Sequence, residues 1–346
     1  MPTIDMSYLT DILVKLCTTP SVTGNTRQAV ALCETEFRQM GLATRYTNKG
    51  ALIATLEGRS SDGAVTFSGH VDTLGAMVKE LKSNGRLALT PIGGYMMNAV
   101  EGERCWVETS GGRQVSGTIL TTKASTHVYS AEATKLERKP ENMEIRLDEK
   151  VSNIDDLRQL GIEVGDFIAF DPRTVVTSAG FIKSRHLDDK AGVACILAAA
   201  RALSGSGQCP PRTVHFFISN YEEIGHGASA GIPQETVDFI AVDMGAIGSG
   251  QTSDEYTVSI CAKDSSGPYT LEIRNKLVEL CRKNNIPYRL DIYPYYGSDA
   301  SAAVRAGADI RTGLIGPGVD ASHAHERTHQ EALEATARLI VAYALV

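Results

Sequence analysis

The sequence predicts an α/β protein with a smaller β-rich domain inserted into it, and three observations lead to that prediction. At 346 residues the chain is too long for one ordinary hydrophobic core. Helical and β-prone segments alternate near the amino terminus and again in the second half of the chain, as they do in α/β folds. Between these parts, from about residue 75 to residue 174, glycines break up short β-prone pieces, and little helical periodicity appears before residues 153–160.

The amino-terminal part is predicted to begin with two helices. Amphipathic periodicity covers residues 5–16 and about 26–40, and the Thr-Thr-Pro-Ser-Val-Thr-Gly-Asn run between them indicates a turn. Three β-prone runs follow, at residues 43–47, 51–56 and 64–68. The third run leads directly into His70.

Alternation of helices and strands resumes after the insertion. A helical pattern covers residues 188–203, and β-prone runs at 213–220 and 239–242 follow it. The remaining predicted elements are a helix at 269–284, a strand at 288–293, a short helix at 300–306 and a terminal helix at 330–345. Because open α/β sheets bind ligands at the carboxyl ends of their strands, the residues that follow these strands are the first candidates for a site.

Composition excludes several classes of function. The net charge is −7 and no basic cluster stands out, so we expect no nucleic-acid partner. No apolar stretch approaches the roughly 20 residues that cross a bilayer, so we expect no membrane association. The amino terminus lacks a basic region followed by an apolar core, which predicts a cytoplasmic protein. The seven cysteines are widely spread without a Cys-x-x-Cys pair, which indicates reduced thiols rather than disulfides or a structural zinc site.

Two adjacent carboxylates, Glu222 and Glu223, follow the predicted strand at 213–220. Two negative charges at the interior end of a strand repel each other unless a cation lies beside them. On a strand or an extended turn, successive side chains point in opposite directions, so one carboxylate can bind a metal while the other holds a water. A solvated acidic loop is the alternative, and the pair by itself favours that alternative.

Other strand ends and loops carry further side chains of the metal-ligand type. Histidine nitrogens and carboxylate oxygens suit Zn²⁺, Co²⁺ or Mn²⁺, and the absence of a thiolate cluster points to a catalytic site with open positions. A carboxylate between two cations can bridge them, and Asp188 is the natural bridge because a loop enters a helix there. The candidate ligands are His70, Asp188, Glu223, Asp243 and His323.

Each candidate also has an ordinary structural explanation. Asp188 or its neighbour Asp189 can cap the helix that follows. His70 can be a hydrogen-bonded core histidine at a strand end, and Asp243 can be a turn residue after its strand. Asp72 points the same way as His70 along a strand, so it is a candidate to hydrogen-bond the imidazole ring from outside the metal site.

A histidine-rich segment near the carboxyl terminus leaves one ligand assignment open. The run Ala-Ser-His-Ala-His-Glu-Arg-Thr-His contains His323, His325 and His329. Spacing alone does not identify which of the three binds metal, and one or two of them are expected to have no such role.

Taken in order, these segments resemble the dinuclear metallo-aminopeptidases typified by glutamyl aminopeptidase, deblocking aminopeptidase and the tetrahedral aminopeptidases. The resemblance covers nearly the whole chain, and several motifs in one order are more specific than any single motif. The matching segments are Pro-Ser at 20–21, His-Val-Asp at 70–72, Gly-Gly at 93–94, Gly-Ile-Glu-Val-Gly-Asp at 161–166, Leu-Asp-Asp-Lys-Ala-Gly at 187–192, Glu-Glu-Ile-Gly at 222–225, Val-Asp at 242–243, Gly-Ser-Asp-Ala at 297–300 and Ser-His at 322–323.

The resemblance implies a three-layer α/β/α metallo-exopeptidase domain, formed by residues 1–73 and 175–346, and an inserted β-rich dimerisation or lid domain at 74–174. In such proteins the smaller domain supports dimers and tetrahedral dodecamers, so the resemblance implies a homo-oligomer.

The resemblance also implies a ligand set and a base. One metal ion is expected on His70, Asp188 and Asp243, and a second on Asp188, Glu223 and His323. The family's ligand histidine lies a few residues before a glutamate, which favours His323 over His325. Glu222 is the expected general base, and Asp72 is an expected member of the catalytic site.

Three positions depart from the family pattern. Lys190 stands where arginine is usual, Thr73 follows Asp72 where an acidic residue is common, and His-Glu-Arg at 325–327 replaces a Ser-Pro-containing stretch. These departures leave the substrate preference and the size of the assembly open.

The expected activity is therefore hydrolysis of the amino-terminal bond of peptide substrates. Two divalent ions, Zn²⁺ or Co²⁺ and otherwise Mn²⁺, would activate a water, and Glu222 would accept its proton. Two alternatives stay open: another dinuclear amidohydrolase such as a carboxypeptidase or deacylase, and a catalytically silent assembly protein of the same fold.

Overall fold

A large mixed sheet flanked by helices and a separate closed β-barrel make up the fold. The computed structural model describes residues 1–346, apart from the side chain of Ser61. The helices are α1 (Met6–Thr18), α2 (Arg27–Gln39), α3 (Thr126–Tyr129), α4 (Ala131–Lys135), α5 (Ile154–Gln159), α6 (Leu187–Gly205), α7 (Leu271–Lys283), α8 (Asp299–Arg305) and α9 (Gln330–Ala344). The predicted mixed α/β fold is confirmed.

The strands fall into three groups along the chain. The first group is β1 (Ala43–Tyr46), β2 (Leu52–Leu56) and β3 (Ser60–His70). The second is β4 (Gly75–Leu81), β5 (Leu87–Ile92), β6 (Arg104–Glu108), β7 (Gln114–Thr121), β8 (Met143–Leu147) and β9 (Phe167–Phe170). The third is β10 (Val175–Val176), β11 (Phe181–Ser184), β12 (Arg212–Ser219), β13 (Thr236–Val242), β14 (Gly245–Ala246), β15 (Val258–Asp264), β16 (Gly267–Pro268), β17 (Tyr288–Ile292), β18 (Arg311–Val319) and β19 (Glu326–His329).

The large sheet has the strand order β1-β2-β12-β3-β13-β18-β15-β16, with β17 beside β15 and β14 beside β18. Its centre is parallel: β3 pairs with both β12 and β13, and β13 pairs with β18, all in the same direction. Consequently the carboxyl ends of these four strands meet at one edge of the sheet. Strands β2 and β15 flank this centre in antiparallel orientation.

Apolar side chains cover both faces of the central strands. In β12, Phe216 and Ile218 pack into the core that contains α1, α2, α6, α7 and α9, whereas Phe217 packs into the core on the opposite face. In β13, Ile240 packs into the first of these cores and Phe239 packs into the second. Successive side chains of a strand alternate between faces, so a strand buried on both sides has a continuous apolar run, as these two do.

Helix α6 is the most deeply buried helix against the sheet. From Leu187 to Ala200 every residue of α6 is buried, and the alanines along it permit close packing against α1 and α9. Among the helices that the structure describes, none is both long and apolar enough to span a bilayer.

The barrel is closed in the order β4-β5-β8-β7-β6-β9. Its interior is a second hydrophobic core with Val78, Leu89, Val107, Ile119 and Ile145 among its buried members. All barrel strands lie between residues 75 and 170, within the segment whose glycine-broken β-prone pieces suggested a β-rich insertion. Helices α3, α4 and α5 lie in the loops between barrel strands.

Two long strands of the large sheet have no counterpart in the sequence prediction. Strand β18 reads Arg-Thr-Gly-Leu-Ile-Gly-Pro-Gly-Val, and its glycines and proline hide the β pattern. The glycines allow close backbone approach, because a Cβ atom on Gly316 would lie only 1.8 Å from the Asp243 carbonyl oxygen. Strand β15 was missed as well, although it is largely buried.

Candidate metal centre

The parallel centre of the sheet brings the predicted site residues to one edge. His70 is the last residue of β3, Asp243 directly follows β13, and the Glu222-Glu223 pair follows β12. His323 lies in the loop between β18 and β19. Asp188 comes from the start of α6, which packs beneath the same strands.

Asp188 lies between two histidines, with one carboxylate oxygen facing each. Its Oδ1 atom is 3.1 Å from Nε2 of His70, and its Oδ2 atom is 3.3 Å from Nε2 of His323. Nε2 of His323 is also 3.7 Å from Oε2 of Glu223, and Nε2 of His70 is 3.7 Å from Oε2 of Glu222. The five side chains thus form one continuous cluster around Asp188.

The spacing of these donor atoms fits divalent metal ions. Two ligand atoms about 2.0 to 2.1 Å from a tetrahedral Zn²⁺ lie about 3.4 Å apart, and the N···O distances at Asp188 are close to this value. Ligand atoms of His70, Asp188 and Asp243 lie within 4.8 Å of one another, so they can surround one ion. The residues therefore fit a metal on the His70 side, and His323 with Glu223 offers a second set of donors.

The raised pKa values of carboxylates in the cluster also indicate a cation site. Burial, followed by the neighbouring charge of Asp188, raises the pKa of Asp243 to about 7. Burial and the neighbouring carboxylates also raise the pKa of Glu222 and of Glu223 well above the usual value. Buried carboxylates that repel one another in this way are stabilised by nearby positive charge, which metal ions can supply.

The glutamate pair lies on a single 3₁₀ turn, Glu222–Ile224, instead of the expected strand or extended turn. Asp72 is fully buried. Its carboxylate accepts hydrogen bonds from the backbone N–H groups of Glu222 at 3.1 Å and of Glu223 at 3.2 Å. It also accepts the hydroxyl of Thr23 at 2.7 Å. Asp72 therefore holds the turn that aims both glutamates into the cluster.

The ring of His70 is held by the backbone of Asp72 and not by its carboxylate. Nδ1 of His70 is 2.9 Å from the Asp72 carbonyl oxygen, whereas the nearest carboxylate oxygen of Asp72 is 3.6 Å away. The expected contact between the Asp72 side chain and the ring is therefore longer than the contact with the Asp72 backbone. With Nδ1 bonded to a carbonyl, Nε2 of His70 remains available toward Asp188.

Asp189 takes the capping role that the sequence left open between the two aspartates. Its Oδ1 atom accepts the N–H of Gly192, and its Oδ2 atom accepts the backbone N–H of His70. Because Asp189 makes these bonds, the Asp188 carboxylate is free of capping and faces the histidines. Both aspartates have non-helical backbone angles, and the peptide bond between them is cis.

Among the three histidines near the carboxyl terminus, His323 is the one placed in the cluster. Its Nδ1 atom lies 2.5 Å from the Gly94 carbonyl oxygen, which belongs to the loop after β5 of the barrel. His325 lies near the cations Arg173 and Arg185, and burial together with these charges lowers its pKa. His329 lies on β19, where its Nε2 atom is 2.9 Å from the Ala179 carbonyl oxygen.

Glu326 and Asp299 organise the site but were not predicted as site residues. Glu326 is 2% exposed and accepts the backbone N–H groups of Asp188 at 3.1 Å and of His323 at 2.9 Å. Burial, followed by the charge of Asp188, raises the pKa of Glu326 to about 8. In the sequence, Glu326 was indicated only by its spacing after His323. That spacing was used to choose among the histidines and not to predict a role for Glu326.

Asp299 connects β3 to the loop that follows the glutamate turn. One of its oxygens accepts the Ser68 hydroxyl and the other accepts the backbone N–H of Ala228, both at 2.8 Å. The Gly-Ser-Asp-Ala motif marked Asp299 in the sequence, but the motif carries no information about these partners.

A cavity of about 490 Å³ opens beside the cluster. Its lining includes five residues of the cluster: Asp188, Glu222, Glu223, Asp243 and His323. Residues after β13 and the segment Tyr-Pro-Tyr-Tyr-Gly at 293–297 also line it. A ligand in this cavity would therefore lie against the cluster.

Comparisons with known proteins point to one family. The family model described as M42 glutamyl aminopeptidase matches residues 50–339. The protein YhfE of Bacillus subtilis (strain 168) is 54% identical over 333 residues, which cover 96% of each chain.

Solved structures of aminopeptidases share the fold. The TET1 peptidase of Pyrococcus horikoshii superposes with a TM-score of 0.86 at 22% identity, over 97% of this chain and 99% of the other. A TET aminopeptidase from a marine sediment thaumarchaeon gives a TM-score of 0.88 at 18% identity, over 98% and 96% of the two chains. The extent of the family match and the identity to YhfE show that this chain belongs to the M42 glutamyl aminopeptidase family.

Proposed function

We propose that this chain is a dinuclear metallo-aminopeptidase that removes the amino-terminal residue of peptides. The observation that carries the proposal is the position of Asp188, whose two oxygens face two different histidines. A carboxylate shared in this way can bridge two cations. His70 and Asp243 would complete one site, and His323 and Glu223 would complete the other.

The ions would be Zn²⁺ or Co²⁺, with Mn²⁺ as a further option, because the donors are imidazole nitrogens and carboxylate oxygens. When bound, such ions polarise a carbonyl and lower the pKa of a water that they share. Every other part of the reaction falls to residues of the chain.

Glu222 is the proposed general base. It does not belong to the group formed by His70, Asp188 and Asp243, yet its Oε2 atom is only 3.7 Å from Nε2 of His70. Burial, first, and the nearby carboxylates raise the pKa of Glu222, which makes it a stronger base. It would take a proton from the attacking water as the C–O bond forms, and give it to the leaving nitrogen as the C–N bond breaks.

Asp72 contributes by position. Its carboxylate fixes the backbone of Glu222 and Glu223 together, so the base and the neighbouring ligand keep a constant relationship. Glu326 does the same for Asp188 and His323 from the opposite side of the cluster.

The experiment that tests the function compares free and amino-blocked peptides. Metal-free protein is supplied with Zn²⁺, Co²⁺ or Mn²⁺ and assayed on a peptide with a free amino terminus, its acetylated form and an acylated amino acid. We expect hydrolysis of the free peptide alone. Cleavage of the blocked peptide from its carboxyl end, or of the acyl group, would identify a carboxypeptidase or a deacylase instead.

We also propose that the chain forms a homo-oligomer. The solved TET1 structures of similar fold are described as a dodecamer, and as a tetrahedron or a large octahedral shell. The division into a domain of residues 1–73 and 175–346 and an inserted domain of residues 74–174 is part of this proposal, with the barrel as the assembly module. Light scattering measures the size of the assembly. The purified chain is compared with a variant whose barrel surface is disrupted.

A further inference from the structure

The cavity beside the metal cluster has a chemical character that bears on substrate choice. Its lining includes Met244 and Ala246 after β13, Gln251, Tyr293 and Tyr296. Both tyrosine hydroxyls are already engaged, Tyr293 with the Ser253 hydroxyl and Tyr296 with the Met244 carbonyl. The two rings, whose centroids lie only 5.1 Å apart, therefore add apolar surface to the lining.

Among the described residues that line this cavity, none is a lysine or an arginine, and the histidine among them, His323, belongs to the metal cluster. Four carboxylates line it, and two divalent ions would carry four positive charges, so the ions neutralise these carboxylates without leaving a surplus. Asp72 and Asp189 add buried acidic groups directly behind the cluster. An acidic substrate side chain would thus enter a region that offers it no compensating charge.

The amide side chain of Gln251 on the cavity wall is also not free to donate to a carboxylate. With its amide in the orientation that satisfies its neighbours, Gln251 donates to the Ile292 carbonyl at 2.8 Å and to Oδ1 of Asp291 at 2.9 Å. Both of its N–H bonds are then used. No amide donor remains for a substrate carboxylate at this wall.

A basic side chain meets a similar obstacle. Outside the cluster, Asp291 bonds to the Gln251 amide of this wall and is only 6% exposed. Its Oδ2 atom accepts from Thr252 and Ser253, and its Oδ1 atom accepts from the Ile292 backbone and from Gln251. Asp291 is saturated, so it offers little to a substrate ammonium or guanidinium group.

We infer that this cavity receives an uncharged, apolar side chain of the substrate's first residue, such as that of leucine, methionine or phenylalanine, and discriminates against glutamate and lysine. The inference rests on the proposed peptidase function and specifies its substrate class. A buried charge without a partner is costly, whereas apolar side chains gain from the aromatic walls.

The first test is a panel of aminoacyl amides carrying leucine, methionine, phenylalanine, glutamate or lysine, assayed on metal-reconstituted protein. We expect kcat/KM for the best uncharged substrate to exceed the values for glutamate and lysine by at least about 100-fold, equivalent to two tenfold steps in transition-state binding. A glutamyl or lysyl substrate within tenfold of the best one would overturn the inference while leaving the peptidase function intact.

A binding measurement tests the inference without catalysis. Calorimetry with metal-loaded protein compares leucine and glutamate, which are the products of two substrates of the panel. We expect leucine to bind at least tenfold more tightly. Equal affinities would overturn the inference even if no peptide were cleaved, and absence of cleavage of every unblocked substrate would instead overturn the proposed function.

A charge placed in the cavity provides the complementary test. Ala246 is half-buried on β14, and Ala246→Lys would add a cation at the apolar wall. The matched control is Ala43→Lys, at an exposed position of strand β1 at the edge of the sheet. We expect the glutamyl-to-leucyl ratio of kcat/KM to rise by about tenfold or more in Ala246→Lys and to stay unchanged in the control. An unchanged ratio in a folded Ala246→Lys protein would place the side-chain site elsewhere.

Discussion

The imidazole of His323 is bonded to the barrel, with its Nδ1 atom 2.5 Å from the carbonyl oxygen of Gly94. In the neutral ring, a proton on Nδ1 leaves Nε2 without one, and Nε2 is the atom that faces Asp188 and Glu223. The barrel thus selects the tautomer that can bind metal, although it contributes no side chain to this contact. Arg185 strengthens the same junction, because its guanidinium bonds to the carbonyl oxygens of Ala99 in the barrel and of Ala324.

The first prediction concerns His323, a proposed metal ligand. His323→Ala should reduce affinity for the proposed second metal ion by more than the roughly 10- to 100-fold that follows loss of an outer hydrogen-bond partner. His325→Ala is the matched control, because His325 lies beside Arg173 and Arg185 instead of the carboxylates. Metal content after equilibration at controlled free Zn²⁺, measured by mass spectrometry, distinguishes them. Loss of an ion in His325→Ala but not in His323→Ala would reverse the assignment.

The second prediction concerns the base. Glu222→Gln keeps the shape of the side chain but removes its ability to accept a proton. We expect both metal ions to be retained and kcat to fall by about 10² to 10⁴-fold, the range for general acid and base catalysis. Glu272→Gln, at an exposed position of α7, is the control for the substitution itself. Turnover near the wild-type value in a metal-loaded Glu222→Gln protein would exclude Glu222 as the base.

The third prediction concerns the glutamate turn. Asp72 accepts three hydrogen bonds through two oxygens, from Glu222, Glu223 and Thr23. The substitution Asp72→Asn leaves only one acceptor oxygen on the side chain, so its amide nitrogen must face at least one N–H or O–H donor. We expect kcat to decrease about 10- to 100-fold with a smaller change in KM, as for other supporting groups of metal sites.

The control for Asp72 removes one donor and keeps the acceptor. Thr23→Val deletes the hydroxyl but leaves both Asp72 oxygens for the glutamate turn. Its kcat should stay within a few-fold of the wild type, since both backbone bonds that hold the glutamate turn are kept. If both variants lost kcat equally, the role of Asp72 would be general packing instead of positioning the turn.

Much of the large sheet was predictable because its strands and helices have clear periodicity. The predicted helix at 188–203 and strand at 213–220 correspond to α6 and β12 with shifts of one or two residues. Strand β18 was not predictable from the same pattern. Its glycines are required by close contacts with the Asp243 and Asp254 backbones, and those contacts exist only in the folded chain.

The candidate site was predictable as a set of residue types but not as a geometry. Residues that follow parallel strands must meet at one edge, which is why His70 and Asp243 could be grouped in advance. The partner of the His70 ring could not be deduced, because the carbonyl and the carboxylate of Asp72 compete for it. The contact between His323 and Gly94 depends on how the barrel lies against the large sheet, which no local pattern encodes.

The last prediction concerns Gly192, the third residue after the capping Asp189 in α6. A Cβ atom here would lie 2.2 Å from Oδ1 of Asp189 and 2.4 Å from the Val242 carbonyl oxygen, and the second contact is with backbone that cannot turn away. Gly192→Ala should therefore destabilise the protein by about 1 to 3 kcal/mol, the usual cost of overpacking a core. Chemical unfolding of the metal-free protein measures the effect.

Gly205 provides the matched control in the same helix. Gly205 is the last residue of α6, and a Cβ atom there would have no heavy atom within 4 Å, so Gly205→Ala should change the stability by no more than about 0.5 kcal/mol. The two residues that this Cβ atom would contact are neighbours of proposed metal ligands, since Asp189 follows Asp188 and Val242 precedes Asp243. Gly192→Ala should therefore also lower metal affinity. Equal stability and equal metal affinity of the two variants would show that the start of α6 tolerates movement, and that the close packing around Gly192 does not fix the position of Asp188.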